Sequence, residues 1–169
     1  MCGPFAMLVT ERLLLRGPQQ TDLDDLFAIY SDPQVMRYWS TPPHPDLTTT
    51  QEMLLRMIAH AHAPLRYFVI DMHGKAIGCA GMHQADEIGF ILGRDHWRQG
   101  IITEAMAAII PHLFATTDVS RLTADVDPRN IASVNALKSM GFSETGTEKN
   151  TFYINGEWSD SVYLALPRP

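Results

Sequence analysis

The chain has 169 residues, 46% of them apolar, enough to close one core without disulfides or a structural metal. Its formal net charge is −6 and it has no run of Lys or Arg, which argues against a nucleic-acid partner, because a polyphosphate needs a basic face. No apolar stretch reaches the roughly 18–20 residues that span a bilayer, so no membrane partner is expected. Two cysteines, Cys2 and Cys79, make no disulfide framework, and a cytoplasmic setting follows.

A single domain is expected over residues 1–169, with residues 1–7 disordered and Met7 available as a second start. The start lacks the charged region and long apolar core of a signal peptide. Leu13-Leu14-Leu15 reads as a short strand that Pro18 ends. Thr21 is expected to cap a helix carrying Leu23, Leu26, Phe27 and Tyr30, stopped by Asp32-Pro33. A second helix is expected from near Thr48, with Met53, Leu54, Met57 and Ile58 on one face.

The period then changes. Tyr67–Ile70 and Ala76–Met82 read as a hairpin around Gly74, and Glu87–Leu92 as a third strand. Ile101 to Phe114 is helical, and Pro111 is expected to kink it or end its regular part. Leu122–Val126 is a strand, and Ala132–Met140 a helix that Gly141 stops in a left-handed cap. Asn155-Gly156 is a hairpin turn between Phe152-Tyr153-Ile154 and Val162–Leu166. Early hairpins followed by a strand–helix–strand crossover imply an α/β (α+β) fold: a mixed, mostly antiparallel sheet with helices on both faces.

Two segments carry chemistry. Leu92-Gly-Arg-Asp-His-Trp-Arg-Gln-Gly-Ile-Ile-Thr103 joins a strand to a helix. Unpaired N–H groups at a helix start favour an anion, and Gly100 permits close approach, with Arg98 and Gln99 at hand. Taken alone, an ordinary strand–helix loop explains this segment equally well. The second segment runs from Asp127 to Phe142 and puts Asn130 and Ser133 at a helix start, where a simple N-cap accounts for one of them. His44, His60, His62 and His96 show no ligand spacing, so no metal is expected. Cys79 reads as a small buried hydrophobe. Tyr38, Trp39, Phe152 and Tyr153 are either core or the lining of an acceptor cleft.

Thr10–Arg16, Ser31–Met36, Ile77–Gly81, Glu87–Phe90, Trp97–Ala105, Asn130–Ser133 and Met140–Phe142 together resemble the GNAT acetyltransferase superfamily. Within it the chain is most similar to the RimJ/RimL-like branch of ribosomal-protein N-terminal acetyltransferases. The resemblance covers nearly the whole chain. It implies a GNAT-like sheet of about seven strands, acetyl-CoA (CoA) as cofactor, and transfer of an acetyl group to a primary amine. The amine would be a small molecule or a peptide N-terminus. It implies that the strand after Gly89, through Phe90, Ile91 and Leu92, meets the pantetheine arm. It implies that Arg98, Gln99, Gly100, Ile101, Ile102 and Thr103 wrap the pyrophosphate. Asn130 would meet the pantetheine or acetyl end with Ser133 beside it, and Asn135 and Lys138 would reach the outer CoA.

Two features depart from the family's pattern, the phosphate loop and the acid. Trp97 and Ile102 hold the first and last places of the phosphate loop, and Leu137 stands where many members carry a tyrosine that protonates the leaving thiolate. Glu87 matches the base of some members, against a plain role as a surface strand residue; Asp86 is the poorer choice. The N–H of Phe90 or Ile91 is the expected oxyanion donor, and Ser133 the expected proton relay. A non-catalytic acyl-CoA-binding module is the second reading, and an unrelated nucleotide-binding α/β protein a third. The C-terminal hairpin offers a surface for a homodimer.

Overall fold

The computed structural model describes residues 7–169, so the expectation for residues 1–7 lies, apart from Met7, outside the described residues. In chain order the elements are β1 (Leu8–Val9), β2 (Leu14–Arg16), α1 (Leu23–Tyr30), α2 (Leu47–His60), β3 (Tyr67–Met72), β4 (Lys75–Gln84) and β5 (Glu87–Leu92). They continue with α3 (Ile101–Thr116), β6 (Arg121–Val126), α4 (Ile131–Ser139), β7 (Ser143–Ile154) and β8 (Glu157–Pro167). The strands form one sheet of eight, one more than expected, in the order β1-β2-β3-β4-β5-β6-β8-β7. Every pairing is antiparallel except β5 with β6, which α3 connects as a crossover.

Strand alternation sends side chains to two cores. On one face Leu15, Phe68, Ile70, Ile88 and Leu164 pack against Met106, Ile109 and Leu113 of α3 and Leu137 of α4. On the other, Val69, Cys79 and Ile91 pack against Leu26, Ile29 and Tyr30 of α1 and Leu54 of α2. Cys79 is buried with a free thiol, as a small hydrophobe would be.

One local expectation is corrected and two are sharpened. Thr21 does not cap α1; residues 20–22 form a 3-10 turn ahead of it. Asp22 organises that turn, accepting from the Gln19 amide at 2.8 Å and from both terminal nitrogens of Arg16 at 2.9 and 2.7 Å. Helix α2 starts at Leu47, because Asp46 accepts from the Thr49 amide and hydroxyl, both at 2.8 Å. Pro111 does not end α3, which continues to Thr116. Ala107, whose carbonyl the proline leaves without a partner, is exposed, so water can satisfy it.

Two turns form as the sequence dictates. Asn155 and Gly156 have φ of 53° and 79°, the double left-handed pair of a type I′ hairpin. Gly141, at φ 97°, closes α4: its amide bonds Lys138 O at 3.0 Å and Phe142 N bonds Leu137 O at 3.1 Å, a Schellman ending.

Candidate active site

The sheet opens between β5 and β6. These strands pair only at Glu87–Thr123, where Asp86 O accepts from Thr123 N at 2.8 Å and the Asp86 carboxylate from the Thr123 hydroxyl at 3.0 Å. Asp86 therefore pins the closed end of the gap. Beyond it the strands diverge. Gly93 N bonds Ile77 O of β4 at 2.8 Å, so alternation turns the backbone groups of Ile91 toward β4 and those of Phe90 and Leu92 toward the gap. Leu92 O is taken by the Trp97 indole at 2.9 Å, whereas the Phe90 backbone lies along the open edge. Such an edge fits an extended chain that hydrogen-bonds like a strand.

At the mouth of the gap stands the start of α3. Gly100, at φ 72°, gives no capping side chain, and the first helical bond is Glu104 N to Gly100 O at 3.0 Å. The N–H groups of Ile101, Ile102 and Thr103 precede that bond and carry the positive end of the helix. Arg98, also left-handed at φ 58°, is exposed beside them. This donor set fits a pyrophosphate. Ile102, a departure from the family pattern, packs partly buried against the α3-side core.

A clamp that sequence reading missed fixes this loop. Glu104 accepts from the Thr10 hydroxyl at 2.6 Å, from Arg12 N at 2.8 Å and from Arg12 Nε at 2.6 Å. Arg12 also donates to Gln99 O at 2.9 Å. Partial burial pushes the Glu104 carboxyl up, but the Thr10 and Arg12 hydrogen bonds outweigh it and hold it below its ordinary value. Gln99 itself turns away, its amide donating to Asp95 O at 3.0 Å.

The far wall is the start of α4. Asn130 caps it by accepting from Ser133 N at 3.3 Å, which leaves its side-chain amide N–H groups free to donate. Asn130 and Ser133 line the same cavity of about 640 Å³ as Phe90, Ile91, Leu92, Arg98 and the 100–103 segment. Gln99, Asn135 and Lys138 do not line it; Lys138 pairs instead with Glu144 at 2.8 Å. Leu137 lines it in part but is buried among core side chains and brings no acid.

A second cavity, of about 1190 Å³, lies on the α1–α2 side. The two share Tyr38, Trp39, Ile88, Gly89, Asp125, Asp127 and Arg129, so they meet across β5. Tyr38, Trp39 and Phe152 line the larger one; Tyr153 does not. Glu87 lines it, with His83 Nε2 at 3.3 Å. His83 also lies over Gly89, where a Cβ would stand 3.2 Å from its ring. His83 and Asp125 are site residues the sequence did not reveal. An acid alternating with Leu122, Ala124 and Val126 in β6 was the available signal for Asp125. Burial pushes its carboxyl above the ordinary range, against the Ser161 hydroxyl, and the Glu148 charge adds to the rise. Asp127 is also pushed up by burial, but its bonds to Arg129 prevail and hold it below.

The comparisons agree with this geometry. Residues 12–143 match the acetyltransferase (GNAT) domain family. An uncharacterized N-acetyltransferase, p20 of Bacillus licheniformis, is 32% identical, covering 94% of each chain. The spermidine N(1)-acetyltransferase of Escherichia coli K12 is 23% identical over 90% of this chain and 84% of its own. A solved RimL, a ribosomal L7/L12 alpha-N-protein acetyltransferase in complex with coenzyme A, superposes with a TM-score of 0.83 at 17% identity over 96% of this chain and 98% of that one.

Proposed function

The chain belongs to the GNAT acetyltransferase family and is an acetyl-CoA-dependent N-acetyltransferase, and on that premise we propose that it acetylates a primary amine by direct attack in a ternary complex. The amine is that of a small molecule or a peptide N-terminus, and relatives that act on spermidine and on ribosomal-protein N-termini support that range. One observation carries the reading: the two cavities meet at Ile88 and Gly89, so a thioester reached from one side faces an amine reached from the other.

Each step then has a residue. The N–H groups of residues 101–103 and Arg98 hold the pyrophosphate, and the open Phe90 backbone holds the pantetheine arm. Asn130 orients the acetyl end. Glu87, on the acceptor side, takes the amine proton, and His83 beside it is the route by which that proton leaves. The neutral nitrogen attacks the thioester carbonyl. Phe90 N–H, which faces the gap where Ile91 N–H does not, receives the charge that grows on the carbonyl oxygen. The C–S bond breaks and Ser133 relays a proton to the departing sulfur. With Leu137 apolar, Ser133 is the hydroxyl nearest this role on α4.

A cytoplasmic setting belongs to the same proposal. The free thiol of Cys79 supports it, and among the described residues no helix is long and apolar enough to cross a membrane. So does a homodimer through the β7–β8 hairpin, where Tyr153 and Trp158 pack at 5.1 Å and remain exposed.

The test is thiol release from acetyl-CoA across a panel of amines and peptides. Glu87→Gln is expected to lower kcat about a hundredfold or more with KM for acetyl-CoA held. An unchanged kcat would remove Glu87 as base. Ser133→Ala with wild-type turnover would remove the relay.

A further inference from the structure

The charge pattern of the larger cavity bears on which amine enters it. The protein has 13 Lys and Arg against 19 Asp and Glu, and among the described residues six of the 13 cations pair with a carboxylate. These are Arg12, Arg16, Arg94, Arg121, Arg129 and Lys138. Arg37, Arg56 and Arg66 do not pair with any carboxylate among the described residues, and all three line the larger cavity. They come from three separate places: the turn after α1, helix α2, and the residue ahead of β3. None lines the smaller cavity, so the acetyl donor does not account for them.

The junction between the cavities carries the opposite sign. Asp125 lines both and has no ion-pair partner among the described residues. Glu87 is near it on β5 and faces only a histidine. Of the other acids that line the larger cavity, Arg129 holds Asp127 and Glu157, both at 2.7 Å, and Asp160 accepts from the Asn150 amide at 2.9 Å. Unpaired negative charge thus stands where the amine must react, and unpaired positive charge stands on the α2–β3 wall. Arg56 also stands near His44: after burial, its charge is the next cause that keeps His44 below its ordinary pKa.

Resting on the acetyltransferase reading above, the geometry points to an acceptor that carries a carboxylate as well as its amine. The ammonium group is drawn to Asp125 and Glu87, gives up its proton and reacts, while the carboxylate meets Arg56 and Arg66. A polyamine is disfavoured, because its second cation would sit among the arginines. The cavity, about 1190 Å³, exceeds the span of about 300–1,000 Å³ usual for small ligands, so it has room for either a free amino acid or a peptide N-terminus with an acidic side chain.

The experiment compares acceptors of matched size. Three tripeptide amides, Ala-Glu-Glu, Ala-Gln-Gln and Ala-Lys-Lys, are assayed for thiol release beside free glutamate and spermidine. The acidic peptide is expected to exceed the neutral one in kcat/KM by about tenfold, the discrimination that two part-desolvated ion pairs give. The basic peptide and spermidine are expected to fall below the neutral one. Glutamate matching the acidic peptide assigns a small acceptor; glutamate far below it assigns a peptide. In an Arg56→Gln/Arg66→Gln double variant the acidic-to-neutral ratio is expected to fall to about one, through KM of the acidic acceptor. Preference for the basic peptide or spermidine, or a ratio that survives in the variant, overturns the inference. If acetyl-CoA binds and no amine is acetylated, the transferase reading fails, and calorimetry of the same peptides on the CoA-bound protein decides this one. Acidic-peptide binding lost in the double variant supports it, and no such binding overturns it.

Discussion

Arg12 and Glu104 are 92 residues apart in sequence, and between them they set the loop proposed to face the pyrophosphate. The bond from Arg12 to Gln99 O places the backbone just before Gly100, and Glu104 ties the first turn of α3 to the β1–β2 connection. Glu104→Gln keeps the shape but loses the charge. It is expected to raise KM for acetyl-CoA by about three- to tenfold with kcat nearly held, since the pair is partly solvated. Equal rises in KM for donor and acceptor would contradict a local effect. The pH dependence has a definite sign. A carboxyl held below its ordinary 4.5 stabilises the fold fully above that value and loses the contribution as pH falls through its folded value. The difference in Tm between wild type and Glu104→Gln is therefore expected to be constant at neutral pH and to shrink in acid, as pH falls below 4.5 and through the folded value. A difference that grew in acid would contradict the assignment. None of this was legible in the sequence, because Thr10, Arg12 and Glu104 meet only through tertiary folding. Gly100 and Asn130 were legible, because a helix start needs local residue types.

At the scale of elements, β5 is the strand on which the site depends, and β4 fixes its position. A Cβ at Gly78 would run into the Ile91 carbonyl oxygen and stand 3.1 Å from Leu92 Cα. Both are backbone contacts, so β5 itself must move. Gly78→Ala is expected to cost about 2–4 kcal/mol, read as a lower urea midpoint, and to weaken acetyl-CoA binding in the protein that still folds. An unchanged midpoint would mean that β4 and β5 are less closely coupled than their register implies. Strand β5 itself was legible to the residue, from Glu87 to Leu92, because turn residues bound an apolar run. Helix α2 was legible in type and in start to within a residue, but the Asp46 cap that sets the start was not. His83 and Asp125 escaped notice because strand periodicity tells which face a residue takes, not what stands opposite it.

At the scale of the molecule, the crossover from β5 through α3 to β6 brings two parallel strands together at one pair of residues and leaves them apart beyond it. That opening, with a helix start at its mouth and cavities on both sides, is what the order of elements produces. The sequence implied the mixed sheet and the crossover. It did not show that β8 would lie between β6 and β7, nor where β5 and β6 would part, because strand order rests on long-range pairing. The same arrangement makes the start of α3 the point where the account is most exposed. Gly100→Val puts a branched side chain at φ 72°, a conformation such residues rarely adopt, beside the N–H groups assigned to the pyrophosphate. Calorimetric titration of acetyl-CoA into wild type and Gly100→Val is the direct measurement. The account predicts binding to wild type and affinity reduced at least about tenfold in the variant; equal affinity in the two, or no binding to wild type at millimolar acetyl-CoA, would contradict it.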